Sequence, residues 1–240
     1  MRDNEGERHV SNFFDSKGMF SDMRVGVSGV NGGIGQAVLS LFTAQGADVI
    51  GFARHPGPGQ NLLDMRMDEQ EMARRIRDAS TEDYDVWMNL AGADVLSPIT
   101  RTLPYMTRLQ KLWEVDVAGA IKCCRAVLPL VRNHGIIVNV AWDEALTGAS
   151  GDSASLYGTA KAAIIGYSAS LAKSLVGVRI YVLSPGWVAT RWAHSLNEEQ
   201  QTRLIRRSAG KRWIDPAEVA DAAWQLIQER PPSGFIMQVK

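Results

Sequence analysis

The sequence predicts an α/β domain with a doubly wound parallel sheet of about seven strands and helices on both faces. Apolar runs of strand length alternate along the chain with longer stretches of helical period, as expected for parallel strands joined by crossover helices. The 240 residues suffice for one sizeable core, and no linker-like stretch divides them. We therefore expect a single domain over residues 23–240.

Strands and helices alternate regularly in the first half of the chain. Strands are predicted at 23–28, 48–53 and 86–90, where the apolar runs are short. Helices are predicted at 34–45 and 69–79, where apolar residues recur at helical spacing. This order is typical of βαβ units, in which each helix crosses the sheet between two parallel strands.

The second half of the chain continues the same alternation with longer elements. The predicted order is helix, strand, helix, strand and final strand, at 109–131, 136–141, 155–175, 178–183 and 235–239. One more helix is predicted to begin near Pro216, with Asp215 as its N-cap and proline as its first residue.

The charge balance argues against some classes of partner. Lys and Arg total 26, and Asp and Glu total 26, so the formal net charge is +0. Without a basic surplus we expect neither nucleic acid nor an anionic membrane as the main partner. No apolar run reaches the length of a membrane-spanning helix. The expected partner is a small molecule.

The two cysteines and the N-terminal segment indicate the compartment. Cys123 and Cys124 are adjacent in a helical stretch that points them in different directions, so neither a disulfide nor a metal site is expected. Residues 1–22 are polar and lack the apolar core of a secretion signal, which predicts a flexible extension. We expect a protein of the reducing cytoplasm.

A glycine-rich turn follows the first strand and opens the first helix. Residues 28–35 read Ser-Gly-Val-Asn-Gly-Gly-Ile-Gly, a G-x-x-x-G-x-G pattern in place of the commoner G-x-G-x-x-G. Missing side chains let backbone N–H groups approach a pyrophosphate at the positive end of the helix. The turn predicts a dinucleotide site, and the alternative is a turn with no ligand. The candidate contacts are Gly29, Asn31, Gly32, Gly33, Ile34 and Gly35.

The residues after the second strand indicate which dinucleotide binds. About 20 residues beyond the turn, dinucleotide-binding folds usually carry an acid that holds the adenosine ribose hydroxyls. Here the chain reads Phe52-Ala53-Arg54-His55. Arg54 cannot accept a hydrogen bond from the 2′-hydroxyl but can pair with a 2′-phosphate, so we expect NADP(H) over NAD(H). The alternative is that Arg54 is only a solvated charge at the end of a strand.

Three further motifs follow the glycine turn in order. They read Asn-Leu-Ala-Gly at 89–92, Tyr-Gly-Thr-Ala-Lys at 157–161 and Ser-Pro-Gly-Trp-Val-Ala-Thr at 184–190. With these four motifs the chain, from about Met23 to its end, resembles the short-chain dehydrogenase/reductase family. The similarity is to the single-domain branch that includes bacterial 3-oxoacyl carrier-protein reductases. The resemblance implies a Rossmann-like fold and a nicotinamide cofactor.

The resemblance also assigns cofactor contacts to the matching positions. It places an aspartate near the adenine, the Asn-x-Ala-Gly turn beside the cofactor, the Pro-Gly segment along the nicotinamide and the lysine on the nicotinamide ribose. The residues so implied are Asp64, Met65, Asn89, Ala91, Gly92, Pro185, Gly186, Val188 and Thr190, together with Tyr157 and Lys161.

Tyr157 and Lys161 carry the expected acid/base chemistry. They are four residues apart, so on a helix they share one face. An ammonium about 4 Å from the phenol contributes on the order of 4 kcal/mol at an effective dielectric near 20. That would lower the tyrosine pKa by up to ~3 units from its usual value near 10. Tyr157 would then donate a proton to a carbonyl as hydride arrives, or remove one from an alcohol.

Two positions depart from the family pattern. The family serine that polarises the carbonyl aligns with Trp142 or with Glu144, and the family asparagine of the preceding helix aligns with Asp116. Asp143 or Glu144, if burial keeps it protonated, could donate the missing hydrogen bond. The alternatives are that both acids are solvated in a loop, or that hydride transfer is lost or redirected. A further alternative is a loop hydroxyl, from Thr147, Ser150, Ser153 or Ser155.

The substrate side is predicted to be aromatic. Trp142, Trp187 and Trp192 fall in three segments that should converge near the nicotinamide, which favours a flat apolar pocket, although tryptophans also pack cores. Residues 191–213 form a predicted lid with a basic run. Helices 109–131 and 155–175 are expected to associate into a homodimer or homotetramer.

Three functions remain open at this point. The first is an NADP(H)-dependent reductase of a small, aromatic or polyketide-like ketone, or the reverse alcohol dehydrogenase. The second is non-redox acid/base chemistry, such as dehydration or isomerisation, on the same fold. The third is a catalytically silent dinucleotide-binding subunit. Retention of Tyr157 and Lys161 favours the enzymes over the silent subunit.

Overall fold

A computed structural model describes residues 23–95, 97, 99–148, 150–208 and 210–240. The predicted N-terminal extension, residues 1–22, lies outside the described residues. Within the described part, no helix is both long and apolar enough to cross a membrane. The same part of the chain contains no group of His, Cys, Asp and Glu side chains arranged to hold a metal ion.

The described residues form one seven-stranded sheet in which all strands are parallel, as the sequence predicts. The strands are β1 (Arg24–Ser28), β2 (Asp48–Ala53), β3 (Asn61–Leu62), β4 (Tyr84–Asn89), β5 (Val131–Val140), β6 (Arg179–Pro185) and β7 (Ile236–Val239). Their order across the sheet is β3-β2-β1-β4-β5-β6-β7. The order reverses between β1 and β4, and in doubly wound sheets ligands bind in the crevice at the carboxyl ends of such a pair.

Helices cover both faces of the sheet. They are α1 (Gly33–Ala44), α2 (Glu69–Asp78), α3 (Tyr105–Leu112), α4 (Ala120–Val127), α5 (Asp152–Ser174), α6 (Arg191–His194), α7 (Glu198–Arg207) and α8 (Pro216–Glu229). On one face, α1 and α8 bury Val38, Phe42, Ala223 and Leu226 in one core cluster. On the other face, α2 and α4 bury Met72, Ile76 and Val127 in a second cluster.

The predicted helix over 109–131 is helical as far as Leu130, but it begins earlier and is not one regular α-helix. The chain forms α3, a π-helical segment Trp113–Gly119, α4 and a 3₁₀ turn Leu128–Leu130, and Val131 already belongs to β5. At Gly119 an added Cβ would lie 2.5 Å from the Met65 Cβ, so the backbones meet closely where the π-helical segment ends. π-helical turns often occur at functional sites, and this one carries Asp116.

The start of α8 confirms the predicted cap. Asp215 Oδ1 accepts a hydrogen bond from the Ala217 N–H at 2.8 Å, and Glu218 Oε1 accepts from the Asp215 N–H at 2.9 Å. Pro216 is the first helical residue, where its missing N–H is not needed. The cap orients the last helix against α1 and so helps close the first core cluster.

Candidate active site

The glycine turn brings the end of β1 against β2 and the loop after β4. Gly29 has φ +74° and its N–H donates to Phe52 O at 2.9 Å. An added Cβ at Gly29 would lie 2.6 Å from the Ala91 backbone, and one at Gly35 would lie 2.4 Å from Gly29 O. Side chains are therefore excluded at these positions, and the backbone stays open to a ligand.

The N-terminus of α1 is free to receive an anion. Its N-cap is Gly32, no side chain caps it, and its first turn has no acid. An added Cβ at Gly33 would lie 2.8 Å from Thr190 Cγ2, which places the last motif beside the first. The Ile34 side chain packs against the first core cluster, so the residue offers its backbone to the turn. Uncapped N–H groups at the positive helix end fit a pyrophosphate.

Asn31 fastens the turn to the end of β2. Its Nδ2 donates to His55 O at 3.0 Å, and its Oδ1 accepts from Gln60 Nε2 at 2.8 Å. Arg191, which the sequence analysis does not single out, donates to Asn31 O at 3.3 Å. The position of Arg191 directly after the Pro-Gly motif is the signal that could have identified it.

Arg54 lies exposed at the end of β2. Asp64 forms an ion pair with Arg66 at 2.5 Å, and this bond lowers the pKa of Asp64, with Arg54 contributing a smaller effect in the same direction. Arg54 and Asp64 therefore share one surface beside the turn. Met65 is buried, and its side chain packs into the core against Gly119 rather than facing a ligand.

The Asn89 side chain forms its hydrogen bonds in the interior of the protein. Its Oδ1 accepts from Trp87 Nε1 at 2.9 Å, and its Nδ2 donates to Asn139 Oδ1 at 2.8 Å. Asn139 in turn donates to Ser168 Oγ at 2.9 Å. The network ties β4 and β5 to α5, so the Asn89 side chain supports the sheet and does not itself reach the cofactor side.

Lys161 is held by a buried ion pair with Asp116. Lys161 Nζ lies 2.9 Å from Asp116 Oδ1, with the two side chains 6% and 1% exposed. Nζ also donates to Val140 O at 3.2 Å and lies 5.3 Å from the Tyr157 ring centroid. Asp116 Oδ2 accepts from the Ala93 N–H at 2.7 Å. The π-helical segment thus fixes both the lysine and the loop that follows β4.

Lys161 lowers the pKa of Tyr157 as predicted, but other contributions outweigh this effect. Burial raises the pKa of Tyr157, and although Lys161 lowers it, Asp116 raises it again, so the net direction is upward. For Lys161, burial alone would lower the pKa, but the charge of Asp116 and the Tyr157 phenol outweigh burial and raise it. The four-residue spacing of Tyr157 and Lys161 does not show Asp116, whose charge offsets that of the lysine.

Trp142 and Asp143, which are both buried, lie in the segment that aligns with the family serine. Trp142 is 3% exposed, its ring centroid lies 5.6 Å from that of Tyr157, and its Nε1 has no hydrogen-bond partner. Asp143 lies beside Gly186, where its Oδ2 would be 3.1 Å from an added Cβ, and its buried Oδ1 has no hydrogen-bond partner. Burial raises the pKa of Asp143. Glu144 is also buried, so the alternative of two solvated loop acids is wrong.

The predicted convergence of three tryptophans is confirmed, and Trp213 extends it. The ring centroids are 5.5 Å apart for Trp142 and Trp187, 5.4 Å for Trp187 and Trp192, and 6.0 Å for Trp192 and Trp213. The bridge between Val188 and Ile214 brings Trp213 to this row. The row begins at Tyr157, whose ring lies beside that of Trp142.

The basic run of the predicted lid is partly neutralised. Arg203 pairs with Glu199 at 2.5 Å, and Arg212 pairs with Glu218 at 2.6 Å. Lys211 Nζ donates to Arg206 O at 2.6 Å. The lid, which comprises α6, α7 and the segment up to Trp213, is therefore less positive than its sequence indicates.

Comparisons with known proteins agree with this geometry. Residues 29–235 match the family model described as Enoyl-(Acyl carrier protein) reductase. The 3-oxoacyl-[acyl-carrier-protein] reductase FabG of Vibrio cholerae serotype O1 (strain ATCC 39315 / El Tor Inaba N16961) is 28% identical over 231 residues, covering 88% of this chain and 91% of that protein.

Two solved structures extend the comparison. A "Short-chain dehydrogenase/reductase SDR:Glucose/ribitol dehydrogenase" from Brucella melitensis superposes with a TM-score of 0.78 at 21% identity, over 92% of this chain and 96% of that one. A structure described as "Ribose-5-phosphate Isomerase" from Brucella melitensis 16M has a TM-score of 0.75 at 26% identity, over 90% of each chain. The chain therefore belongs to the short-chain dehydrogenase/reductase family of oxidoreductases and is similar to the 3-oxoacyl-[acyl-carrier-protein] reductases.

Proposed function

We propose that this protein is an NADP(H)-dependent oxidoreductase that reduces the ketone of a small aromatic or polyketide-like intermediate, or oxidises the corresponding alcohol. The observation that carries the proposal is Tyr157 held between the buried Lys161–Asp116 ion pair and the row of tryptophans. A proton donor, a fixed cation and a row of aromatic rings meet there.

The cofactor proposal rests on the glycine turn and on Arg54. The uncapped start of α1 would hold the pyrophosphate, and the exposed Arg54 guanidinium would pair with a 2′-phosphate. When bound, the nicotinamide supplies or accepts the hydride. Arg54→Ala should weaken NADPH binding by at least about tenfold and NADH binding little, as measured by fluorescence titration. Equal weakening of both would refute the preference.

Proton transfer is assigned to Tyr157. At neutral pH Tyr157 is a neutral phenol, which is the form that donates a proton to a developing alkoxide, and burial holds its pKa above the usual value. Lys161 stays charged beside the ring, and its charge stabilises the phenolate left after donation. Asp116 holds Lys161 in place and offsets part of that charge.

The carbonyl oxygen needs a second hydrogen-bond donor in place of the family serine. Trp142 Nε1–H is a buried donor without an acceptor next to the Tyr157 ring, and an incoming carbonyl would satisfy it. Asp143 is the second candidate, because burial favours its protonated form, which can donate from the carboxyl group beside Gly186.

Non-redox chemistry is the second candidate function. Two observations support it: the resemblance to a structure described as an isomerase, and the tryptophan in place of the family serine. Isomerisation would use Tyr157 as acid/base with no net transfer of hydride. It predicts turnover without net consumption of reduced nicotinamide.

A substrate screen tests the proposal. Aromatic ketones and 3-oxoacyl thioesters are offered with NADPH and with NADH, and the absorbance of the reduced nicotinamide is followed. We expect ketone-dependent oxidation of NADPH that Tyr157→Phe reduces by about 100-fold or more. Turnover that Tyr157→Phe leaves unchanged would contradict the assigned mechanism.

A further inference from the structure

Arg108 is a buried cation on the side of α3 that packs against α5. It is 7% exposed, and one of its terminal nitrogens donates to Ser153 Oγ at 3.0 Å. Its Nε is buried and has no hydrogen-bond partner among the residues that the structure describes. Among the described residues, the ion pairs include none with Arg108. A buried guanidinium without a counter-charge is costly, so this position is suited to an anion.

Arg108 lies beside the N-terminus of α5. The N-cap of α5 is Gly151, and no side chain caps this end, so the positive end of the helix and its first N–H groups are open at the turn that holds Ser153. The Tyr105 hydroxyl lies 3.2 Å from Ser155 Oγ. Asp152, the acid in this first turn, is exposed to solvent. Ser155 Oγ donates to Asp152 O at 2.8 Å, and the Arg108 guanidinium lies 6.0 Å from the Tyr105 ring centroid. The Ser153 hydroxyl, the helix end and the guanidinium together favour an oxyanion.

The spacing of residues along the two helical segments places Arg108 relative to Tyr157. Two rows of residues spaced four apart face each other: Arg108, Leu112 and Asp116 on α3 and the π-helical segment, and Ser153, Tyr157 and Lys161 on α5. The rows are joined at one end by the Arg108–Ser153 hydrogen bond and at the other by the Asp116–Lys161 ion pair. Ser153 therefore precedes Tyr157 by about one helical turn, about 6 Å along the axis.

We propose that Arg108, Ser153 and the N-terminus of α5 form a subsite for an oxyanion of the substrate, a carboxylate or a phosphate carried a few bonds from the reacting carbonyl. This rests on the proposed function, because the anion is placed relative to Tyr157. The guanidinium fork would bind the oxyanion in a bidentate way, and the free helix end would receive its remaining oxygens. The substrate class is then a keto acid or a keto phosphate.

Anion binding is tested first, without turnover. Thermal unfolding is measured with acetate, with inorganic phosphate and with chloride at equal ionic strength, for the unmodified protein, Arg108→Met and Ser153→Ala. We expect acetate or phosphate to raise the Tm of the unmodified protein by roughly 5 °C at a hundredfold excess over its Kd. Arg108→Met should lose most of this rise. An anion that also binds the α1 turn acts equally on all variants and cancels in the comparison.

Turnover then identifies the source of the oxyanion. A keto acid, its methyl ester and the corresponding keto phosphate are compared with NADPH. We expect kcat/KM for one of the two anions to exceed that for the ester by at least about tenfold, and Arg108→Met to bring this ratio close to one. The better anion identifies the source. If no ketone is reduced with either nicotinamide, the proposed function fails, and the unfolding experiment alone decides the subsite.

Several outcomes would overturn the subsite. One is an anion-induced rise in Tm that is equal in the unmodified protein and Arg108→Met. Another is an Arg108→Met variant that is less stable in chloride but keeps the full response to anions, as a purely structural arginine would give. A third is an Arg108→Met variant that no longer self-associates but responds to anions as the unmodified protein does. That result would show that a second copy of the chain supplies the counter-charge of Arg108. If Arg108→Met does not fold, Arg108→Lys and Ser153→Ala carry the same test.

Discussion

At the residue scale, Asp116 controls the charge around the reacting groups. It neutralises Lys161 in a buried ion pair and accepts from the Ala93 N–H, and its charge acts to raise the pKa of Tyr157. A family asparagine at this position would carry no charge. The acid therefore favours the protonated phenol, which is the form that donates a proton during ketone reduction.

Asp116→Asn should shift the pH dependence of ketone reduction. Removing the negative charge lowers the pKa of Tyr157, so the phenol is lost at lower pH, and the fall in kcat/KM at alkaline pH should move down by about one pH unit. Ultraviolet difference titration of the phenol should move in the same direction. Glu114→Gln removes a charge from the same π-helical segment outside the ion pair and is the control. Identical profiles for Asp116→Asn and the control would contradict the assigned role.

Trp142→Phe separates the indole N–H from the aromatic ring. It keeps an aromatic side chain beside Tyr157 but removes the unpartnered donor, so kcat/KM for ketone reduction should fall by about 100-fold with little change in NADPH affinity. Trp192→Phe is the matched control, because its Nε1 is also buried without a partner, two rings further along the row. If both variants lose activity equally, Trp142 is not the donor, and Asp143→Asn becomes the decisive variant.

At the element scale, the strand-to-helix turn after β1 depends on backbone contacts. An added methyl group at Gly35 would meet Gly29 O at 2.4 Å and Val30 Cα at 2.8 Å, and neither atom can move without shifting the turn. Gly35→Ala should therefore weaken NADPH binding by at least about tenfold in equilibrium titration. Gly166→Ala, where nothing lies within 4 Å, should bind NADPH normally. Unimpaired binding by Gly35→Ala would remove the turn from the cofactor site.

The same elements show how far the sequence predicts this structure. The apolar run predicts both ends of β2 correctly, and the capping residues predict the start of α8 at Pro216, because both signals are local. The π-helical segment within the predicted helix 109–131 has no local sequence signal, because it accompanies the contact between Gly119 and Met65, which are far apart in sequence. Tertiary contact overrides helical period at this point.

The site was predictable in its members but not in its electrostatics. The motifs lead to the glycine turn, to Tyr157 with Lys161 and to three tryptophans that do converge. Whether the pKa of Tyr157 is raised or lowered, and whether Asp143 is buried, depends on the charged and apolar residues around them. These residues come from distant segments of the chain. Arg108 gave no sequence signal, because an arginine in an amphipathic helix is ordinarily solvated.

At the scale of the whole molecule, an exposed apolar surface predicts self-association. Met106 on α3 is 67% exposed and Trp113 just after α3 is 51% exposed. Trp113 lies in the helix 109–131 that is expected to form a homodimer or homotetramer, and Met106 lies just before that range. Met106→Asp combined with Trp113→Asp should give monomers in sedimentation analysis. Val176→Asp alters a residue that is 99% exposed beyond the end of α5 and should keep the native assembly. An unchanged assembly in the double variant would place the interface elsewhere.

The central claim is that hydride reaches a ketone while Tyr157 supplies the proton. NADPH carrying deuterium at the transferable position of its nicotinamide is incubated with the ketone found in the screen, and the product is analysed by mass spectrometry. The account predicts one deuterium on the carbinol carbon of the alcohol, formed about 100-fold or more slowly by Tyr157→Phe. A product without deuterium, or equal rates for Tyr157→Phe and the unmodified protein, would contradict it.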